Sequence, residues 1–475
     1  MAELSFERNL SMAKTYLDFF KELAAIPHGS GNTKAISDYC ASFAKQRGLR
    51  YLQDEANNVI IWKDATNGSD ETVILQGHLD MVCVQKDGRN IDFTRDGLRL
   101  HTDGDFLFAE GTTLGGDDGI AVAYALAILD SDTLRHPNLE VVFTVDEEIG
   151  MLGAAALDLS PLKGNMLINV DSEEEGTLLT SCAGGVRADL TFSAADEKAA
   201  AAGCLRVVLD GLPGGHSGAE IDKGHENAVL VLAKLLQSCG VSRLCSIDGG
   251  SADNAIPTSC TAVVETAPGL ADRLQAALAK AKAAFALTEQ GAALTLQPAG
   301  AQRAFSEQDT ARLLRLLCGV PNGIIAMSAQ VPGLVQTSLN LGTVKTEGDR
   351  VLTGHALRSS VGAEKEQLLS DLTAHAAACG AAVSTFGDYP AWEFKENSRL
   401  RDTVLRCYER QYGKPMTITA IHAGLECGIF CGKKPALDCV SMGPDIFDIH
   451  TYDERLSLSS AERTYKLLCS VLGEL

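Results

Sequence analysis

The sequence has no excess of basic residues. Its 475 residues include 41 lysines and arginines against 62 aspartates and glutamates, which gives a formal net charge of −21. Because nucleic acids and anionic membrane surfaces are bound through basic patches, this balance argues against both kinds of partner.

A long apolar segment is missing as well. The longest apolar run, residues 119–129, is too short to span a bilayer and is followed by Asp130.

Signals for export and for disulfide scaffolds are also missing. The first 14 residues contain no apolar signal-peptide core, so we expect a cytoplasmic chain. The 14 cysteines are scattered singly without a Cys-x-x-Cys pair, and most are expected to be buried apolar residues or free thiols. Cys427 and Cys431 indicate zinc only weakly, because no second pair or histidine set completes a site.

Several common catalytic motifs are absent. No Gly-x-Gly-x-x-Gly follows a predicted strand, and there is no P-loop, so nucleotide binding has no support. No Gly-x-Ser-x-Gly elbow is present, which argues against a serine hydrolase.

The pattern of the first 180 residues favours an α/β fold. Apolar, strand-like runs cover 57–62, 72–80, 139–148 and 165–176, and helical patterns cover 6–25, 34–47 and 117–131. Several of the strand-like runs are continuously apolar, which is typical of strands covered on both faces. We therefore predict a three-layer domain with a mainly parallel sheet.

A second pattern begins after Gly184–Gly185. Alternating strand-like runs (187–194, 204–212, 338–360) are followed by long helical runs (226–237, 270–286, 364–380), which predicts an inserted α+β domain of two similar halves. A strand-like run at 434–443 and a closing helix then return to the first domain. The predicted boundaries are 1–185 and 388–475 for the first domain and 186–387 for the insertion.

Acidic and imidazole groups gather at the predicted strand ends and helix starts. They are His78, Asp80, Asp117, Asp118, Asp146, Glu147, Glu148, Asp171 and, near the C-terminus, His450. Each has an ordinary explanation when taken alone, such as a solvated acidic turn or an acidic helix start. In an open α/β sheet, however, ligands bind outside the carboxyl ends of the strands, so we expect these groups to converge.

A cluster of this kind needs positive charge. Carboxylates in one crevice repel one another, and divalent cations offset that repulsion. Two imidazoles and three carboxylates fit a pair of zinc-class ions about 3.5–4 Å apart that share a bridging carboxylate. One further carboxylate has to remain free of metal in order to deprotonate the attacking water.

The motifs in their order closely resemble the di-zinc metallopeptidases related to aminoacylases and carboxypeptidases. They are GHLDMV (77–82), GTTLGGDDG (111–119), DEEIG (146–150), VDSEEEG (170–176) and GGHSG (214–218). Further motifs resemble the aminoacyl-histidine, or cytosol non-specific, dipeptidases in particular. These are SCAGG (181–185), GGSADNAIP (249–257), VPGLVQTSLNLG (331–342) and IHAGLECG (421–428).

The resemblance implies a role for each matched residue. One zinc would be bound by His78 and Asp171, the other by Glu148 and His450, and Asp117 would bridge both. Glu147 would be the general base, and Asp80 would orient His78. Zinc is the expected metal, with manganese or cobalt as alternatives.

The inserted domain would act as a lid that binds the substrate. His216 would donate to the oxyanion, a role that a partner subunit fills in smaller relatives and that a double-length lid could supply within one chain. Arg358 is the best candidate for pairing with the substrate carboxylate, and Asn254, His422 and Gly424 resemble substrate contacts. Whether the chain works as a homodimer stays open.

The chain departs from the family at two positions. Asp118 stands where the family commonly has Asn, and Tyr452 stands where it tends to have Pro. The second aspartate is expected to make the site more negative. We predict hydrolysis of dipeptides that have a free C-terminal carboxylate, including aminoacyl-histidine dipeptides. An N-acyl amino acid deacylase and a catalytically idle peptide-binding homologue remain as alternatives, although the idle homologue would be expected to lose a ligand or the base.

Overall fold

The computed structural model describes residues 14–195, 197–199, 203–285, 287–301 and 303–475. Contacts divide the chain into two units. The first unit contains Met1–Thr180, Lys395–Thr419 and Leu425–Leu475, and the second contains Ser181–Phe394 and Ala420–Gly424. The predicted helical residues 6–13 and most of the segment searched for a signal peptide lie outside the described residues.

The first unit begins with alternating helices and strands. In chain order they are α1 (Tyr16–Ala24), α2 (Lys34–Gln46), β1 (Arg50–Gln53), β2 (Val59–Lys63), β3 (Thr72–His78), β4 (Leu100–Asp103), β5 (Phe106–Ala109), α3 (Gly116–Asp130), β6 (Asn138–Thr144), α4 (Leu152–Ala156), β7 (Met166–Asn169) and β8 (Thr177–Cys182). The apolar run inside α3 is buried from Ile120 to Leu129, which explains why this helix is apolar on every side.

The second unit follows. Its elements are β9 (Gly184–Ser193), β10 (Glu197–Ala199), β11 (Cys204–Asp210), β12 (Gly215–His216), α5 (Ala228–Ser238), β13 (Leu244–Gly249), β14 (Ala255–Ile256), β15 (Cys260–Glu265), α6 (Leu270–Lys282), β16 (Ala293–Ala299), β17 (Arg303–Phe305), α7 (Glu307–Gly319), β18 (Gly323–Met327), β19 (Val335–Glu347), β20 (Arg350–Ser359), α8 (Gly362–Ala378) and β21 (Ala381–Tyr389). Short 3₁₀ helices occur at Ile221–Lys223 and Leu287–Gly291.

The last elements complete the first unit. They are α9 (Arg399–Tyr412), β22 (Thr417–Ile421), α10 (Glu426–Lys433), β23 (Asp438–Ser441), β24 (Ile446–Phe447), β25 (Arg455–Ser457) and α11 (Leu458–Glu474). The eight-stranded sheet has the order β1-β2-β6-β3-β7-β23-β8-β22. Its four central strands, from β6 to β23, are parallel, and antiparallel strands flank them. The predicted α/β fold class is confirmed.

The sheet of the second unit has nine strands, in the order β16-β11-β15-β13-β19-β20-β9-β21, with β18 paired to β19. Its pairings are antiparallel. Leucines from all four helices pack into one core with the sheet, for example Leu232, Leu274, Leu313 and Leu368. The two predicted α+β segments therefore share one continuous sheet.

Two strand predictions for the first unit are too long. The run predicted at 139–148 ends as a strand at Thr144, and the run at 165–176 ends at Asn169. After β6 the chain turns at Asp146, which has a left-handed φ of 55°. The acidic residues that follow each strand therefore lie in turns beyond the sheet.

Among the described residues, no helix combines the length and apolar character needed to cross a membrane.

Candidate active site

The centre of the parallel sheet brings the predicted ligands of the first unit together. β3 lies between β6 and β7, so the carboxyl ends of these three strands are neighbours. His78 is the last residue of β3, Glu147 and Glu148 follow β6, and Asp171 follows β7. Asp117 comes from the start of α3, and the loop after β24 supplies His450, which has a φ of 61°.

The two carboxylate oxygens of Asp117 face two different histidines. Its Oδ1 lies 3.2 Å from Nε2 of His78, and its Oδ2 lies 3.1 Å from Nε2 of His450. Each histidine also faces a carboxylate of its own. Nε2 of His78 is 3.6 Å from Oδ1 of Asp171, and Nε2 of His450 is 3.0 Å from Oε2 of Glu148. Asp117 thus stands between two imidazole–carboxylate pairs.

Among the described residues, three groups of side chains have donor atoms close enough to hold a metal ion. They are His78 with Asp118 and Asp171, His78 with Glu147 and Glu148, and Asp117 with Glu148 and His450. No cysteine belongs to these groups, and all 14 cysteines are free thiols.

Asp80 contacts both His78 and the segment that carries the two glutamates. Its backbone oxygen is 3.0 Å from Nδ1 of His78, and its Oδ1 is 3.5 Å from the same nitrogen. The carboxylate also accepts the backbone N–H groups of Glu147 (3.0 Å) and Glu148 (3.3 Å) and the hydroxyl of Ser30 (2.8 Å). The buried carboxylate of Asp80 therefore fixes the positions of His78 and of the turn that carries Glu147 and Glu148.

The protonation of the two histidines shows how much negative charge surrounds them. Burial lowers the pKa of His78, but hydrogen bonds to Asp117, Asp171 and Asp80 raise it well above its usual range. Hydrogen bonds to Asp117 and Glu148 raise the pKa of His450 to about 10. Both shifts have the same cause: the surrounding carboxylates favour positive charge at the centre of the site. Divalent cations fit this donor set, because they would supply the same positive charge.

The carboxyl groups respond to burial and to one another. Burial raises the pKa of Glu147 well above its usual range, and the nearby carboxylates Asp171 and Glu426 raise it further. Burial and the charge of Asp117 also raise the pKa of Asp171. Burial raises the pKa of Asp117 too, but hydrogen bonds from the two histidines lower it overall.

Asp118 has surroundings different from those of its neighbour Asp117. Its side chain is 1% exposed and accepts the backbone N–H of His78 at 3.2 Å. A Cβ on Gly77 would lie 2.6 Å from Oδ2 of Asp118, so the glycine makes room for this carboxyl group. Burial and Asp171 raise the pKa of Asp118 well above its usual range. The sequence predicted a more negative site here, whereas the burial favours a neutral carboxyl group.

Sequence reasoning missed two buried glutamates. The carboxylate of Glu454 accepts four consecutive backbone N–H groups, at 2.8–3.4 Å, from residues 114–117. It thereby fixes the loop that carries Asp117. The fully buried Glu426 accepts from Gln76 (2.5 Å) and Thr144 (2.6 Å) at the ends of β3 and β6. A glutamate inside an apolar segment such as GLECGIF was the available signal for Glu426, since a buried acid needs donors.

In the second unit, the ring of His216 is oriented by its own turn. Its Nδ1 accepts the backbone N–H groups of Gly218 (3.2 Å) and Ala219 (3.0 Å). An acceptor at Nδ1 places the proton of the neutral ring on Nε2. Partial desolvation and the charge of Arg358 lower the pKa of His216, which favours this neutral form.

Arg358 and His422 lie near His216 in the same unit. Nε2 of His422 is 2.7 Å from Oγ of Ser338, and burial together with Arg358 lowers the pKa of His422 to about 4. Nη1 of Arg358 donates to the hydroxyl of Tyr389 at 3.2 Å. Asn254 precedes β14, and its backbone oxygen accepts the N–H of Ser217 at 2.8 Å. Gly424 lies in the segment 420–424 of this unit, close to His422 in the chain.

Carboxylates and imidazoles gathered at the ends of parallel strands are typical of metal-dependent hydrolases. The comparisons with known proteins identify the family. The chain belongs to peptidase family M20/M25/M40, whose sequence profile matches residues 74–474.

Two relatives match over nearly the whole chain. The cytosol non-specific dipeptidase of Escherichia coli strain K12 is 36% identical over 473 residues, which cover 96% of this chain and 97% of the relative. The solved structure of aminoacylhistidine dipeptidase from Vibrio alginolyticus has a TM-score of 0.91 at 34% identity and covers 97% of this chain and 96% of its own. The structure of aminopeptidase PepT from Bacillus cereus shares the fold, with a TM-score of 0.62 at 15% identity and coverage of 97% of both chains.

Proposed function

We propose that this M20-family peptidase is a two-metal dipeptidase that cleaves dipeptides with a free C-terminal carboxylate, including aminoacyl-histidine dipeptides. The observation that carries the proposal is Asp117, whose two oxygens face two histidines that each have a further carboxylate partner. The names of the Escherichia coli and Vibrio alginolyticus relatives support the dipeptide as substrate, and the former supports a cytoplasmic location.

Five side chains would hold the two ions. His78 and Asp171 would bind one, Glu148 and His450 the other, and Asp117 both. Zinc fits imidazole and carboxylate donors, and manganese and cobalt are the alternatives. When bound, the ions would supply positive charge that polarises the scissile carbonyl and lowers the pKa of the attacking water.

Glu147 is the proposed general base. It is next to the ligand Glu148, and Asp80 fixes the backbone N–H groups of both residues. The side chain of Glu147 is not needed as a ligand, so it is free to take the proton of the attacking water. Once it has taken this proton, Glu147 can pass it to the leaving amine.

The second unit would supply the groups that bind the substrate. The proton on Nε2 of His216 makes this histidine a neutral donor for the developing oxyanion. Arg358 would pair with the terminal carboxylate, since its buried Nε has no hydrogen-bond partner among the described residues. Asn254, His422 and Gly424 complete the proposed set of substrate contacts.

Replacing Arg358 tests the carboxylate specificity. We expect Arg358→Ala to raise KM for a free dipeptide by about 10-fold or more, which is the scale of a lost charge-assisted hydrogen bond, and Arg358→Lys to restore it in part. For the C-terminal amide of the same dipeptide, KM should already be high in the unmodified enzyme and should change little in the variant. Equal cleavage of the acid and the amide by the unmodified enzyme would contradict the proposed carboxylate clamp.

His216→Ala tests the oxyanion donor. The variant should retain its metal ions and lose about 10²–10³-fold in kcat, because only the transition state needs this donor. His101→Ala is a suitable control, since His101 is an exposed histidine stacked on Phe108. Turnover by His216→Ala equal to that of His101→Ala would show that His216 is only a loop residue.

A further inference from the structure

Four residues of the second unit lie directly opposite one another across neighbouring strands. Ser338 on β19 pairs with Arg358 on β20, Arg358 pairs with Gly185 on β9, and Gly185 pairs with Tyr389 on β21. Residues paired in this way project on the same face of a sheet. Arg358 and Tyr389 are therefore two strands apart on one face, with a glycine between them.

The glycine allows the tyrosine to reach across the middle strand. Two strand spacings amount to about 10 Å, which only a long side chain can bridge. A Cβ on Gly185 would lie 2.5 Å from the hydroxyl oxygen of Tyr389 and 2.6 Å from its Cζ, so the phenol ring occupies the space that a side chain at 185 would need. The ring ends 3.2 Å from Nη1 of Arg358.

Tyr389 is itself held in place. Its backbone oxygen accepts from Nζ of Lys365 at 2.9 Å, and the same ammonium group pairs with Asp388. Lys365 is only 4% exposed, so the side chain that holds the backbone of Tyr389 is buried, whereas Asp388 is exposed. The hydroxyl group is consequently presented to Arg358 from a fixed backbone position.

The contact leaves one edge of the guanidinium group free. Tyr389 contacts Nη1, while Nε is buried and has no partner among the described residues. Nε and Nη2 form the side edge of the guanidinium group, with two parallel N–H donors that match the two oxygens of a carboxylate. The contact at Nη1 therefore fixes the orientation of this edge and leaves the N–H of Nε available to a carboxylate.

The groups around Arg358 leave its charge uncompensated. Within the described part of the chain, no carboxylate forms an ion pair with Arg358, and its neighbours His216 and His422 are favoured in their neutral forms. Burial raises the pKa of Tyr389, which keeps the phenol neutral. An aspartate or glutamate in its place would also orient the arginine but would compete with the substrate carboxylate.

We propose that Tyr389, lying across Gly185, is a positioning residue that holds the Arg358 guanidinium group with its Nε–Nη2 edge toward the substrate carboxylate. This inference rests on the proposed function, in which Arg358 binds the free carboxylate of a dipeptide. The hydroxyl of Tyr389 orients the arginine without neutralising it, and Gly185 provides the clearance.

Tyr389→Phe removes only the hydroxyl group and tests the proposal. We expect KM for a free dipeptide to rise about 3- to 10-fold, the scale of one ordinary hydrogen bond, because the variant keeps Arg358 and loses only its orientation, with kcat nearly unchanged. KM for the C-terminal amide should not change, because the amide lacks the carboxylate that the guanidinium group of Arg358 is proposed to bind. Gly185→Ala should give at least the same rise, since its methyl group displaces the ring.

Tyr412→Phe is the matched control. Tyr412 is also a half-buried tyrosine, and its hydroxyl donates to the backbone oxygen of Arg463 at 2.7 Å, in the first unit. It should leave KM unchanged for both substrates. If Tyr389→Phe and Tyr412→Phe behave alike, or if Tyr389→Phe raises KM equally for acid and amide, Tyr389 has no positioning role.

Arg358→Ala separates the two ways of failing. If Arg358→Ala raises KM for the free dipeptide and Tyr389→Phe does not, the carboxylate clamp stands and the positioning role of Tyr389 is wrong. If neither variant changes KM, the clamp itself is wrong, and the inference about Tyr389 is overturned with it.

Discussion

Replacing Glu147 with glutamine is expected to lower turnover by about 10²–10⁴-fold while the protein keeps both metal ions. Glutamine has nearly the size of glutamate but cannot accept the proton of the attacking water. The loss can exceed this range, because the same group takes the proton and later delivers it to the leaving amine. KM for a dipeptide should change little, since Glu147 is proposed neither as a ligand nor as a substrate contact.

The neighbouring Glu148→Gln is the matched comparison for Glu147→Gln. Glu148 lies 3.0 Å from Nε2 of His450, so its loss should weaken one metal site, and excess metal should restore activity in part. Metal content and turnover are measured side by side for the two variants. If Glu147→Gln loses a metal ion while Glu148→Gln keeps two, the roles of the two glutamates are reversed.

Asp117→Asn is expected to have an equally large effect, through the metal ions. Loss of a group that only supports a ligand costs about 10–100-fold in metal affinity. The loss of a carboxylate shared by both sites should therefore cost about 100-fold or more and abolish turnover at ordinary metal concentrations. Asparagine keeps only one oxygen, so His78 or His450 would lose the partner that lies 3.1–3.2 Å from its Nε2 atom, and neither histidine would face a negative charge at this position.

Asp118→Asn provides a matched control one residue away. The asparagine oxygen can still accept the backbone N–H of His78, and the burial of this position already favours a neutral side chain. We expect metal content and turnover close to those of the unmodified enzyme. Because Asp118 also has a donor atom near His78 and Asp171, the opposite result is informative. Metal loss in Asp118→Asn but not in Asp117→Asn would make Asp118 the ligand.

Much of the first unit could be predicted because its signals are local. The apolar run of α3 and the continuously apolar strands β3, β6 and β7 are visible in short windows of sequence. The acidic groups follow these strands directly, so the end of the sheet at which they gather could be predicted too. The end of β6 could not, because Asp146 in the turn that follows it accepts the backbone N–H of Gly31, which is 115 positions away.

The partners of Glu454, Glu426 and Tyr389 could not be predicted from the sequence for the same reason. Glu454 contacts the backbone of Leu114, which is 340 positions away, and Glu426 contacts Gln76, which is 350 positions away. Nothing near Tyr389 in the sequence indicates that it reaches Arg358, because that contact depends on the register of both strands against Gly185. The motifs predicted the residues proposed for the chemistry and the orienting residue Asp80, and the structure was needed to find the other residues that hold them.

The most direct test of the two-metal dipeptidase is a zinc titration of the chelated protein, with metal content and dipeptide hydrolysis measured at each step. An N-acetyl amino acid is assayed in parallel, because it shares the free carboxylate but lacks the N-terminal residue. We expect the chelated protein to be inactive, zinc to bind at two ions per chain, and hydrolysis of the dipeptide to exceed that of the N-acetyl compound at every step at which activity has returned. Full activity in the folded protein with no metal bound, or faster cleavage of the N-acetyl amino acid, would contradict the proposed function.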